Sequence, residues 1–139
     1  MNVKSFVDTN IVVYAHDRSS GRKHKIARDI LRELWHKRLG ILSTQVLQEF
    51  FYIVTQKISD PVTLSKAKES IRHLLSWEVV VNDGPSIIRA VDIYEKFKYS
   101  FWDSLIIQAA ISGKAEILLS EDLQSGQMID SLKIINPFE

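Results

Sequence analysis

Four acidic side chains carry the chemistry in this chain. Asp8 closes a short apolar stretch in which Val3, Phe6 and Val7 read as a buried strand, and Ile11 to Tyr14 resumes the apolar run after Asp8-Thr9-Asn10. A carboxylate between two apolar segments is costly unless it finds partners, although Asp is also a good N-cap for a following helix. Glu49 flanks the apolar stripe of a predicted helix, with Val46 and Ile53 three residues before and four after it on the same side. Asp103 has Ile106, Ile107 and Ala110 at i+3, i+4 and i+7 in a segment apolar almost all round, which predicts burial. Ser100-Phe101-Trp102-Asp103 also fits a capping box, which accounts for the acid but less well for the large apolar residues around it. Asp122 follows a predicted strand beside Glu121, and spacing leaves open which of the two points inward.

Four converging carboxylates would repel one another and raise each other's pKa unless cations were present. The economical partner is one or two Mg²⁺ or Mn²⁺ ions, hard cations that take oxygen ligands and keep several waters. Arg18 to Arg38 supplies the complementary charge: eight Lys and Arg against Asp29 and Glu33 give +6, so with a net charge of +1 the remainder carries −5. An all-carboxylate site beside a basic segment points to a phosphodiester substrate. Lys25, Arg28 and Arg32 share one helix face and are the candidates for phosphate contact, against the plainer reading of a solvated helix surface. The four histidines have no metal-ligand spacing with one another and receive no role.

The elements that would position these residues alternate. A helix is expected over Thr9 to His16, and another over Lys23 to Leu39, ended by Gly40. Ile41 to Ser43 reads as a strand, and Thr44 is expected to cap a helix reaching about Lys57. After Asp60-Pro61 come a helix near Leu64 to Ser76, a strand at Glu78 to Val81 and a turn at Asn82 to Pro85. A helix from Ser86 to Phe97, with Ile87, Ile88, Val91 and Ile93, precedes one from Phe101 to Gly113. Glu116 to Ser120 reads as a fourth strand and Lys133 to Ile135 as a possible fifth. Short apolar strands alternating with helices predict a mainly parallel sheet covered on both faces, with ligands beyond the C-terminal strand ends. Asp8 and Asp122, each following a strand, would then meet at one edge.

With 139 residues and 45% apolar composition, one domain with a packed core is expected over residues 1–139. The absence of cysteine removes disulfides, thiolate metal sites and a cysteine nucleophile. No apolar run approaches a membrane span and no secretory signal is visible, so a cytoplasmic location without membrane attachment is expected.

With these residues placed, the chain resembles the PIN-domain ribonucleases, most nearly the VapC-type toxins of prokaryotic toxin–antitoxin pairs. F-V-D-T-N (Phe6 to Asn10), Q-E-F (Gln48 to Phe50), S-F-W-D-S-L-I (Ser100 to Ile106) and L-L-S-E-D-L-Q-S-G-Q (Leu118 to Gln127) carry it, in family order and over nearly the whole chain. The resemblance implies a three-layer α/β/α sandwich with a central, mainly parallel sheet, and Mg²⁺- or Mn²⁺-dependent RNA cleavage. It maps the family's acidic quartet onto Asp8, Glu49, Asp103 and Asp122, selecting Asp122 over Glu121. Asp8 and Asp103 would be the central metal ligands, Glu49 and Asp122 would complete the site partly through water, and Asn10 and Ser120 would orient the acids. Ser120 stands where Thr is commoner and keeps the hydroxyl. The resemblance also implies a homodimer and a cognate antitoxin that blocks the active-site groove. Trp35, Phe51, Tyr52 and Ile53 are candidates for lining such a groove, with ordinary core packing as the plainer alternative.

Other readings fit less well. A haloacid-dehalogenase-like phosphatase needs a second Asp two residues after the first, where Asn10 stands, and a later Lys that does not accompany Ser120-Glu121-Asp122. A receiver-like signalling module needs an acidic pair near the first strand end, where the chain has Lys4 and Ser5. A catalytically silent RNA-binding PIN domain does not need an intact quartet. A PIN-like nuclease of RNA processing, outside a toxin–antitoxin pair, is the nearest alternative.

Overall fold

The computed structural model describes residues 2–139. Its centre is β1 (Ser5–Val7), three residues that are all buried. A strand with no solvent face needs neighbours on both edges, and β1 lies between β2 (Gly40–Ser43) and β4 (Ile117–Leu119), parallel to both. The six-stranded sheet runs β3-β2-β1-β4-β6-β5, with β3 at Glu78–Val80, β5 at Met128–Ile129 and β6 at Leu132–Ile135. Only β5, against β6, is antiparallel. The expected fifth strand is therefore present as β6. The two-residue β5 was not expected, because Gln127 to Ile129 lacks the length and alternation that mark a strand.

The first three parallel crossovers carry helices, and β4 joins β6 through β5 without one. α1 (Thr9–His16) and α2 (Arg22–Lys37) join β1 to β2, α3 (Thr44–Gln56) and α4 (Leu64–Leu74) join β2 to β3, and α5 (Gly84–Phe97) and α6 (Phe101–Ser112) join β3 to β4. α1 packs on α2 and α3, and α3 on α4; α5 packs on α6, which lies against β2 and β4. The result is the expected α/β/α sandwich with a mostly parallel sheet. Among the described residues no helix is long and apolar enough to cross a membrane.

Local chemistry explains the departures from the expected boundaries. α3 is capped by Ser43, whose Oγ accepts from Val46 N at 3.3 Å, and Thr44 is its first helical residue. α2 stops at Lys37 because Arg38 turns left-handed (φ 56°), so Gly40 does not end the helix but opens β2. The need for glycine at 40 is a close approach: a Cβ there would stand inside the Trp77 indole. In α5 only Ser86 and Ala90 are buried, and Ile87, Ile88 and Val91 are exposed. The small Ala90 allows α5 to sit close on α6; Ile93 packs partly buried against the core, and Ile87, Ile88 and Val91 are left on the outer face.

We expect Gly40→Ala to destabilise the chain by about 1–3 kcal/mol, since an extra methyl in a filled site forces the indole to move. Urea unfolding of the variant beside wild type measures it, and an unchanged midpoint would show that Trp77 yields freely.

Candidate active site

The register of β1 on β4 builds the site. Val7 pairs with Leu119, so the next residues, Asp8 and Ser120, leave the sheet side by side. Asp8 N donates to Leu119 O at 2.9 Å, continuing the ladder by one step. The Asp8 side chain is only 5% exposed. Thr9 N donates to its Oδ1 and Ser120 Oγ to its Oδ2, both at 2.7 Å. Asp8 is thus the N-cap of α1 as well as a member of the site. Burial pushes its pKa up to about 7; the bonds from Ser120 and Thr9 pull the other way, and the charges of Asp103 and Asp122 add to the rise.

The first turn of α1 also holds the flanking acids. Thr9 Oγ1 donates to Glu49 Oε1 at 2.6 Å, and Asn10 Nδ2 donates to Asp122 Oδ2 at 2.9 Å. Ser120 Oγ in turn accepts from Asp122 N at 3.2 Å, which sets the loop after β4. Gln45, one turn before Glu49 on α3, is 7% exposed, and its Nε2 donates to Glu49 Oε2 at 3.4 Å and to Trp102 O at 3.2 Å. It ties the helix bearing Glu49 to the first turn of the helix bearing Asp103.

Asp103 is half-buried rather than deeply buried as its apolar neighbours suggested. It lies in the first turn of α6, where Ser104 to Ala110 are buried but the cleft opens beside the acid. The capping relation is present too, since Ser100 Oγ accepts from Asp103 N at 3.1 Å. The Asp103 pKa is raised by burial first and then by the charges of Asp122 and Glu49, against a hydrogen bond from Ser100.

Asp8, Asn10, Glu49, Asp103 and Asp122 all line one cleft of about 450 Å³, with Thr9, Gln45, Tyr52, Ile53, Lys57, Trp102 and Ile106. Ser120 lies beneath it, against Asp8. The structure separates the two adjacent acids that spacing could not. Glu121 turns away from the cleft and accepts from Tyr14 Oη at 2.6 Å and from Lys23 Nζ, which also stands over the Tyr14 and Phe138 rings. Asp122 faces the cleft. Lys25, Arg28 and Arg32 of α2 are outside the cleft wall, and Lys25 pairs with Asp29 at 3.1 Å. Of the four groove candidates, Tyr52 and Ile53 line the cleft. Trp35 lies elsewhere, beside Trp77, and Phe51 is half-buried without reaching the cleft. Gln45 and Trp102 were not foreseen as members. A buried polar residue one turn from a site acid, and an aromatic adjacent to one, were the signals available.

The donor set suits a hard divalent cation: it consists of carboxylate oxygens, with Asp8 and Asp103 held above their ordinary pKa by burial and then by neighbouring carboxylates. Among the described residues no three Asp, Glu or His side chains are gathered as a ready-made ligand group. Asp8, Glu49 and Asp122 each accept a hydrogen bond from the first turn of α1, and a hard ion such as Mg²⁺ placed among these acids would keep several waters.

The acidic cleft lies at the C-terminal edge of a parallel sheet, where ligands sit in such folds. The PIN domain family model matches residues 5–126, and the chain belongs to that family. No curated protein matches the sequence. Among solved structures the chain is similar to a toxin–antitoxin complex from Klebsiella pneumoniae (19% identity, 97% of this chain and 98% of that one, TM-score 0.71). It is also similar to VapC20 of Mycobacterium tuberculosis, described as a sarcin-ricin-loop-cleaving toxin (17%, 82% and 86%, TM-score 0.63). A third is VapBC2 of Rickettsia felis bound to a promoter DNA fragment (19%, 94% and 96%, TM-score 0.64). At these identities the likeness is one of fold. It agrees with the resemblance carried by the four motifs.

Because the folded chain holds the Asp8 proton more tightly than the unfolded chain, this group's contribution to stability is greatest below its ordinary 3.8 and is lost as pH rises through about 7. In EDTA, wild type should therefore lose stability relative to Asp8→Asn by about 1.4 kcal/mol per pH unit across that window. Parallel urea midpoints at pH 5 and pH 8 test this; a constant difference between the two proteins would mean that Asp8 ionises normally.

Proposed function

We propose that the chain is a divalent-metal-dependent endoribonuclease that hydrolyses RNA phosphodiester bonds as the toxin of a VapBC-type pair. The observation that carries this reading is the joint lining of one cleft by Asp8, Glu49, Asp103 and Asp122 in a PIN-family chain. Asp8 and Asp103 would hold a Mg²⁺ or Mn²⁺ directly, with Glu49 and Asp122 completing the site partly through water. Such an ion supplies positive charge to the phosphodiester and makes the attacking water more acidic.

The chain's own residues prepare this. Thr9 N and Ser120 Oγ fix both oxygens of Asp8, so its carboxylate cannot rotate away. Asn10 sets Asp122, and Thr9 with Gln45 sets Glu49. Ile53 and Ile106 make one wall of the cleft apolar, which strengthens the electrostatic attraction between the acids and a cation.

The toxin assignment is supported by the neighbours, several of which are toxins solved with their antitoxins or on DNA. By the same resemblance the partners are RNA, a cognate antitoxin and a second copy of the chain, in the cytoplasm. A PIN nuclease of RNA processing would share the chemistry and lack the antitoxin. A small reading frame beside the gene, whose product binds this chain and silences it, separates the two.

Purified protein should cleave RNA with Mn²⁺ or Mg²⁺ and stop in EDTA, and Asp103→Asn should lose activity by about 100-fold or more, as expected when a group acting mainly on the transition state is neutralised. Metal-independent cleavage, or a fully active variant, would refute the mechanism.

Lys25, Arg28 and Arg32 are proposed to contact RNA phosphates outside the cleft. Neutralising all three should reduce the slope of log K against log salt by roughly 2, at about 0.7 per contact on a single strand. An unchanged slope in a salt titration would remove them from the interface.

A further inference from the structure

The loop after β4 presents Asp122 to the cleft, and most of what holds that loop lies outside the cleft. Glu121, beside Asp122, accepts from Tyr14 Oη at 2.6 Å and from Lys23 Nζ. The Lys23 ammonium is itself fixed. It stands 5.1 Å from the centre of the Tyr14 ring and 5.4 Å from that of Phe138, and the two rings meet edge to face at 5.4 Å. Further along the loop, Tyr99 Oη accepts from Gln124 N at 3.3 Å and donates to Gln127 Oε1. Ser125 Oγ accepts from Asn136 N at 3.1 Å. None of Tyr14, Lys23, Tyr99 and Phe138 lines the cleft.

Asp122 itself is lightly held. Among the described residues its carboxylate has one partner, Asn10 Nδ2 at 2.9 Å, and its amide donates to Ser120 Oγ at 3.2 Å. Glu121 shares a peptide bond with it, so a fixed Glu121 limits where the Asp122 carboxylate can turn. An isolated surface ion pair holds little, because two long side chains must be ordered to form it. Here a phenol hydroxyl and two rings do that ordering, and the Glu121 side chain is left only 22% exposed. Lys23 also cancels the charge that would otherwise repel Asp122 from the adjoining position.

We propose that Lys23 and Tyr14 are positioning residues of the acidic cleft: by gripping Glu121 they hold the loop after β4 so that Asp122 faces a divalent cation there. This rests on the nuclease reading above. Neither residue touches the substrate or the ion, and both act through Glu121. Lys23 thereby differs from the other basic residues of α2 proposed to meet phosphate, since its ammonium is spent on the loop. Placement of this kind matters to the chemistry, because a misplacement of about 1 Å from a distant change can cost about 100-fold in rate.

Mn²⁺ binding to the RNA-free protein, followed by the paramagnetic resonance of free Mn²⁺, reads the placement of Asp122 without turnover. Lys23→Met should weaken binding by about 10- to 100-fold, the usual loss when a group supporting a metal site is removed. Lys23→Arg, which keeps the cation, should restore most of it. Glu121→Gln should lose as much as Lys23→Met, and the double variant little more than either, because the lysine acts through the glutamate. In EDTA the Asp122 amide should exchange its hydrogen faster in Lys23→Met than in wild type, with the amides of β1 and β4 unchanged. In cleavage assays the variant should need more Mn²⁺, with KM for RNA unaltered at saturating metal. Tyr14→Phe removes one hydroxyl only, should shift the same quantities by less, and serves if Lys23→Met folds poorly. Unchanged Mn²⁺ binding and unchanged Asp122 exchange in these variants, with wild type cleaving RNA, overturn the positioning proposal alone. A full loss from Lys23→Met in the Glu121→Gln background also overturns it. So does a raised KM for RNA with unaltered Mn²⁺ binding, which would make Lys23 a phosphate contact. A wild-type chain that binds no Mn²⁺ and cleaves no RNA overturns the nuclease reading itself.

Discussion

The rest of the structure depends on one carboxylate kept out of water at the end of a buried strand. Transferring a charged carboxylate from water into a protein interior costs several kcal/mol. Asp8 receives two short hydrogen bonds in return, from Thr9 N and Ser120 Oγ. Bonds to charged groups are worth about 1.5–3 kcal/mol each. These offset part of the cost, and the raised pKa near 7 expresses the remainder. The folded chain therefore carries an unmet demand for positive charge at a fixed point. A proton meets it in acid, and a cation in the cleft would meet it at neutral pH. The sheet is what makes the demand rigid, because the pairing of Val7 with Leu119 leaves Asp8 and Ser120 no freedom to part.

From that point the organisation spreads through α1. Its first turn sends Thr9 to Glu49 and Asn10 to Asp122, so one helical turn sets two acids that come from α3 and from the loop after β4. Further along the helix, Tyr14 reaches the same loop and, with Lys23, holds Glu121 on the far side. Desolvation acts to raise the Glu121 pKa, but Lys23 and Tyr14 outweigh it and leave it below its ordinary value. Two neighbouring acids in the bend after β4 are thus given opposite tasks: Glu121 anchors the loop and Asp122 faces the cleft. The pair separates because Tyr14 and Lys23 hold Glu121 on the far side.

The sequence made the sheet and the acids legible for a definite reason. Parallel strands buried on both faces, such as Ile41 to Ser43 and Ile117 to Leu119, are continuous apolar runs, and an acid at their ends interrupts the pattern visibly. Asp8 could be seen in this way without any tertiary information. The depth of Asp103 could not, since helical periodicity assigns a face but not whether a cleft opens over its first turn. The outward stripe of α5 was misleading for the same reason: Ile87, Ile88 and Val91 look like core until the small Ala90 is seen to make the contact. Gly40 read as a helix stop because a left-handed Arg38 has no sequence signature, and its actual constraint is Trp77, nearly forty residues away. Between Glu121 and Asp122 spacing left the choice open and the resemblance selected Asp122; the physical cause, the long-range contact of Glu121 with Lys23, lies in no local pattern.

The electrostatics of the finished cleft limit how it can recognise a substrate. Its wall holds four acids and a single lysine, and two of the acids are already pushed upward, by burial first and then by their neighbours' charge. A phosphate approaching that wall without a cation meets repulsion, and the bonds from Ser120 and Thr9 to Asp8 satisfy the acid without reversing its sign. Attraction must then come from an ion in the cleft, from cations placed outside it, or from contacts that carry no charge. The basic α2 lies outside the cleft wall, and the uncharged contacts available beside the acids are the rings of Trp102 and Tyr52. The separation has a physical logic: basic groups placed outside the cleft do not pair with its acids, and the exposed rings beside the acids are neutral. A lysine drawn in closer would pair with Asp103 or Asp122 and compete with any cation that entered beside the buried Asp8.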